Sequence, residues 1–204
     1  MRKVLAPLFL LFLIAAPPPA RAAGLLDAPL SFSATRTVTV NGKPYTGTVF
    51  HVPGHERHEQ VLLGMQQVFL LDDKEGEGFL VLPALKTMVE FAFPPLLSAL
   101  VDPGLRKEPV GEEMVENLPA TKYRVGQTAP DGTRGEGFAW ISRRGVLLKL
   151  DATVVAPGGH RTAIGMILSG LKEAPQSAEL FTLPPGLARL PAEALAPLLG
   201  ITLR

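Results

Sequence analysis

The chain has 204 residues and is 47% hydrophobic, which suits one well-packed domain and excludes a disordered protein. Twenty Gly and twenty Pro, with no three-residue period, exclude collagen and point to short strands joined by turns rather than a long helical bundle. The absence of Cys excludes disulfides, thiolate zinc sites, Fe–S clusters, a cysteine nucleophile and a lipid-modified N-terminal Cys.

Arg2 and Lys3 precede an apolar run over residues 4–16, prolines follow at 17–19, and Ala20-Arg21-Ala22 is a small-x-small pattern that a signal peptidase reads. The apolar run is shorter than the roughly 20 residues of a spanning helix. The expectation is a signal peptide over 1–22, cleaved before Ala23, and a single domain over 23–204. Loss of Arg2, Lys3 and Arg21 leaves 17 basic against 19 acidic residues, a net charge of −2. No basic excess remains to hold nucleic acid. A cysteine-free exported chain tolerates an oxidising compartment, and the bacterial periplasm fits best.

Beyond Ser31 the chain reads strand, turn, strand. Phe32, Ala34, Val38 and Val40 alternate with Ser33, Thr35, Thr37 and Thr39, a period of two on a half-buried sheet. Asn41-Gly42 is a strong hairpin signal. Strands are predicted over 45–52, 55–63, 67–71, 79–82 and 87–91, bounded by Pro53-Gly54, Gly64, the polar turn 72–76, Pro83 and Pro94. Residues 94–101 are a helix candidate stopped by Asp102-Pro103-Gly104, with Leu96, Leu97, Leu100 and Val101 as one apolar stripe. Further strands are predicted over 108–115, 121–125, 135–141, 146–155 and 160–171. Their turns are Asn117-Leu118-Pro119, Pro130-Asp131-Gly132, Arg143-Arg144-Gly145 and Pro157-Gly158-Gly159. A short closing helix is expected over 191–199.

About eleven antiparallel strands cannot stay flat, because neighbours rotate by roughly 20°. The predicted class is therefore mainly β (α+β): an open, strongly curved antiparallel sheet, a half-barrel covered by one or two short helices. Its apolar concave face needs a cover, and helix is scarce. Phe32, Val38, Val49, Leu70, Phe91, Trp140, Leu148, Leu150, Met166 and Leu168 are expected to line that face, with Leu97 facing it from the helix. A slip of one residue would invert any one strand.

Several segments together resemble the LolA-like family of bacterial periplasmic lipoprotein-sorting proteins and its uncharacterised relatives. SFSATRTVTVNGKPYTGTVFHVPGHERHE, with Gly47 and Pro53-Gly54, resembles that family's first hairpin. LLDDKEGEGFLVLPALKTMVEF is similar to its next strand pair, VGEEMVENLPATKYRV and GFAWISRRGVLLKLD to later strands, and AELFTLPPGLARLP to its closing segment. The resemblance runs from about Ser31 to Pro191 and implies an eleven-stranded open half-barrel with helices over its mouth, whose cavity carries acyl chains of lipoproteins. Two departures stand out. Val52 occupies the place where the sorting proteins carry Arg before the Pro, and residues 23–29 are too short for their opening helix.

His51, His55, His58, Glu56 and Glu59 form the densest cluster of possible metal ligands. On extended strands His55 and His58 face opposite ways and His51 can approach only His55, so the cluster reads as polar residues on a solvated hairpin, and no metal is expected. The acidic turn 72–78 lacks the bidentate Glu of a calcium loop, having Ala84 at that place. Glu112 and Glu113 face opposite sides of a strand and cannot act as a glycosidase pair. Hydrolase, zinc-protease, phosphate-loop and nucleotide signatures are missing, so neither an enzyme nor a cofactor is expected. The functional expectation is a carrier for the acyl chain of a lipid or lipoprotein. The alternative is a filled core whose edge strand or convex face binds an inner- or outer-membrane envelope protein.

Overall fold

A computed structural model describes residues 24–93, 95–102 and 104–191. The expected signal peptide lies outside them, as does the expected closing helix apart from Pro191. Strands β1 (Phe32–Val40) and β2 (Lys43–Val52) form a hairpin whose turn residues, Asn41 and Gly42, have φ of 48° and 82°. Such a turn carries the right-handed twist into the pair. The meander continues through β3 (His55–Leu62), β4 (Met65–Asp72), β5 (Glu77–Leu82) and β6 (Thr87–Ala92). Helix α1 (Pro95–Val101) then leads to a second meander. Its strands are β7 (Arg106–Val115), β8 (Leu118–Thr128), β9 (Arg134–Ser142), β10 (Leu147–Val155) and β11 (Arg161–Glu173).

The two meanders join where β1 pairs with β11, giving one open, curved sheet in the order β12-β6-β5-β4-β3-β2-β1-β11-β10-β9-β8-β7. Each of the eleven predicted strands forms. The twelfth, β12 (Ala188–Leu190), was not predicted and runs parallel to β6 along one outer edge. One predicted turn moves. Glu116 and Asn117 take the positive φ, and Leu118 already pairs with Val115, so Leu118 and Pro119 belong to β8.

Helix α1 and residues 24–30 lie on one face, here the inner face. The Leu25 and Leu26 amides donate to the Leu100 carbonyl at 2.6 and 3.3 Å, and Leu25 and Ala28 are buried among Phe32, Val49, Leu148, Leu150 and Leu168. Cross-strand register puts Phe32, Val38, Val49, Leu150, Met166 and Leu168 on this face, with Leu148 two residues before Leu150. Phe91 is opposite Gly78 on the same side, its ring occupying the space that a Cβ at Gly78 would need.

Leu70 and Trp140 depart from expectation and lie on the outer face. Leu70 is opposite Arg57 and Phe79 and clusters with Val68, Val81 and Met88 beneath Leu183 and Leu187, which the chain lays across the outside after β11. Both faces of β4 are thus covered, so its run Val68-Phe69-Leu70-Leu71 shows no alternation to read. Trp140 is opposite Lys122 and Lys149, whose Nζ atoms sit 4.8 and 4.3 Å from its ring. Its Nε1 donates to Glu113 at 2.7 Å. Lysine stems and a carboxylate bury this indole from outside.

Candidate functional site

The inner face has two chemically distinct halves. Across β1 and β8–β11 it is apolar, and residues 24–30 with α1 lie over it. Leu97, Leu100 and Val101 on α1 are half-buried. The space left beneath Leu100 and Leu105 is about 40 Å³, bordered by Val125, Leu150, Ala152 and Ile164. That holds a few waters at most, against the roughly 300–1,000 Å³ of ligand sites. A ligand of that size on this face would have to take the place of the cover.

Across β2 and β3 the inner face carries a polar cluster, buried at His51 and Glu56. The two-residue turn Pro53-Gly54 sets Val52 opposite His55, and so His51 opposite Glu56. His51, Glu56 and His58 therefore share the inner face, while His55 faces outward, 3.6 Å from Asp72. The solvated-hairpin reading is corrected, because His51 is 0% and Glu56 3% exposed. Arg36 reaches over from β1 and donates to both Glu56 oxygens, at 2.5 and 2.6 Å. His51 Nε2 bonds the Ala28 carbonyl at 2.9 Å, and Asp27 Oδ1 accepts from the Gly54 amide at 3.2 Å, so two polar contacts pin the cover to the sheet. His58 bonds Gln60, whose amide donates to Gln67 at 2.9 Å. Gly47 belongs to this surface, since a Cβ there would stand 2.2 Å from the Glu59 carbonyl and 2.9 Å from the His58 ring. Among the described residues no three His, Asp or Glu side chains converge as a metal site.

Burial, aided by Arg36, holds His58 below its usual range, and burial does the same for His51 against the pull of Ala28 and Glu56. Burial pushes Glu56 up, but the Arg36 guanidinium outweighs it and the carboxyl stays below its usual range. Asp73 goes the other way. Burial, then the Glu56, Asp27 and Asp72 carboxylates, raise it from 3.8 to about 7. A raised carboxyl weakens the folded state progressively as pH climbs from 3.8 towards 7, and fully above that. Since Asp27 sits on the cover, docking of residues 24–30 should tighten from pH 8 to pH 6 as Asp73 gains its proton. Hydrogen-exchange protection of the Leu25 and Leu26 amides reads this directly. Asp73→Asn should flatten the dependence, and an unchanged slope would remove Asp73 from it.

A much larger space lies on the outer face of the second meander. It is an open cleft of about 1010 Å³ with Thr39, Arg124, Phe138, Asp151 and Gly165 across it and Arg106, Glu108 and Glu136 at its rim. Charges of both signs face it, and Gly126 and Gly165 line it without side chains. Sequence reasoning missed Arg36, the burial of Glu56 and the role of Leu25. The apolar stretch Gly24-Leu25-Leu26 ahead of the first strand was the available signal.

No protein-family model and no curated protein matches this sequence. Among solved structures, an uncharacterized conserved protein from Thermus thermophilus superposes with a TM-score of 0.51 at 15% identity, over 80% of this chain and 91% of its own. MucB gives 0.51 at 18% identity over 81% of this chain, which spans 61% of MucB. A LolA superfamily protein from Nitrosomonas europaea gives 0.43 at 10% identity, over 78% and 93%. At these identities the likeness is one of fold. The open curved sheet with a short helix over its inner face is the LolA-like architecture that the sequence segments resemble.

Proposed function

We propose that the protein is an exported, non-enzymatic carrier that holds the acyl chain of a lipid or lipoprotein against the apolar inner face, working in the periplasm. The observation that carries this reading is the make-up of the cover. Two short pieces, residues 24–30 and α1, lie over a continuous apolar floor without being strands of the sheet. Residues 24–30 are held to α1 through the Leu100 carbonyl, so breaking that bond lets them lift from the floor while α1 stays over it. Transfer of each CH₂ from water to that floor contributes roughly 0.8 kcal/mol, ample for a long chain to compete with Leu25 and Ala28. Native mass spectrometry of protein taken from a bacterial periplasm tests the reading. Lipid masses on a chain beginning near Ala23 are expected. A lipid-free mass together with an empty lipid extract would sink the carrier.

A second reading rests on the outer cleft, which is open where the inner face is filled. Its mixed charges and glycine lining suit a polypeptide from an envelope protein. MucB, of similar fold, has been solved in complex with MucA of Pseudomonas aeruginosa. Under this reading the purified protein is lipid-free, and Arg124→Glu abolishes capture of its partner without altering the fold.

A further inference from the structure

The two outer edges of the sheet are treated differently. On one side β12 covers β6, with Arg189 paired to Glu90 at 2.8 Å. On the other, among the described residues β7 pairs with β8 alone, and Val110 and Met114 on it are 53% and 65% exposed. An open strand edge is a template for another strand.

Arg106 and Lys107 begin β7, Glu108 follows with Oε1 3.4 Å from Arg106 Nε at the exposed surface, and Glu112 and Glu113 lie near its end. In a regular strand Arg106 and Glu113, seven residues apart, would face opposite ways. A bulge at Val110 changes this, because Pro109 is opposite Tyr123 while Gly111 is opposite Lys122. Arg106 is opposite Gly126 and Glu113 opposite Ala120, positions an even number apart on β8, so both lie on the outer face. Lys107 and Glu112, opposite Val125 and Thr121, both lie on the inner face. Both pairs are centred on Tyr123, and hence on Pro109. Glu113 is already fixed at this edge by Lys122 and Trp140.

We infer that β7 is a self-association edge, pairing antiparallel with β7 of a second copy about a two-fold axis at Pro109. That alignment sets Arg106 opposite Glu113 and Lys107 opposite Glu112 on matching faces, twice over, and puts no like charges opposite one another. Proline, which cannot donate to a ladder, occupies the axis itself. The inference is independent of what the inner face carries.

Sedimentation equilibrium of the purified protein should show a dimer that weakens as salt rises from about 50 to about 500 mM, because charge pairs at the sheet edge are screened. Arg106→Glu sets like charges opposite each other at two places and should raise the dissociation constant about tenfold. The chain has no Cys, so Pro109→Cys provides one thiol on the axis. Opposed residues of an antiparallel pair have Cα atoms about 4.5–5.5 Å apart, within the roughly 4.4–6.8 Å of a disulfide. Pro109→Cys should therefore form an intermolecular disulfide far faster than Val61→Cys, a control on the distant β3–β4 hairpin that is 69% exposed. A monomer at every salt concentration, or Pro109→Cys cross-linking no faster than the control, would overturn the inference and leave the edge to a foreign strand or to none.

Discussion

Replacing Arg36 with Met should destabilise the protein by about 3–5 kcal/mol, the usual cost of stranding one member of a buried ion pair. The two side chains are 11% and 4% exposed, so water cannot replace the guanidinium that Glu56 loses. For a chain of this size such a change lowers Tm by roughly 10 °C or more. Glu56→Leu in the same background should recover most of the loss, because the uncompensated charge rather than the missing bond is what costs. The pH dependence supplies the sign. In the natural protein the Glu56 value lies below 4.5, so the pair's contribution is complete above that pH and disappears as pH falls through the lower folded value. In Arg36→Met the guanidinium is gone and burial, the largest influence on the carboxyl, should raise it. The variant should therefore be weakest at neutral pH and regain stability on acidification. Chemical denaturation at pH 8 and pH 5 decides it, and equal losses at both would remove Glu56 from the account.

The strands were readable because their turns are written in residues with few other uses. Asn41-Gly42, Leu63-Gly64 and Pro157-Gly158-Gly159 each stand at a chain reversal, and between them period-two alternation survives wherever one face meets water. Reading failed where that contrast was lost. Leu70 looked like inner lining because β4 is apolar on both sides, and nothing local shows that Leu183 and Leu187 return across its outer side. Trp140 was expected on the inner face by register, yet it lies outside under lysine stems. His51 and Glu56 looked solvated because hairpin parity depends on whether Pro53-Gly54 is a two- or a three-residue loop. The cover was hardest of all. Residues 24–30 have no periodicity, and their docking follows from tertiary contacts with Leu100, Gly54 and His51 rather than from any propensity of their own.

The carrier reading makes its sharpest claim on that cover. Leu25 is 1% exposed, and its burial together with the bond to Leu100 holds residues 24–30 down. Leu25→Asp should remove roughly 2–3 kcal/mol of docking, the worth of a fully buried Leu, before counting the charge. Because residues 24–30 pair with no strand, the sheet should persist while its inner face opens. A protein whose competent state is rare binds with affinity reduced by that state's population. Opening the cover should thus tighten binding of a fluorescent fatty acid tenfold or more. Leu97→Asp should act in the opposite direction, since α1 would close over the bound chain and a charge there removes apolar contact while the fold stays intact. Near-UV circular dichroism of Trp140 reports the sheet in both variants. If Leu25→Asp abolishes that signal, residues 24–30 are fixed core and the face has no gate. If the signal persists and neither variant changes fatty-acid binding, the inner face is not a lipid site and the carrier reading falls.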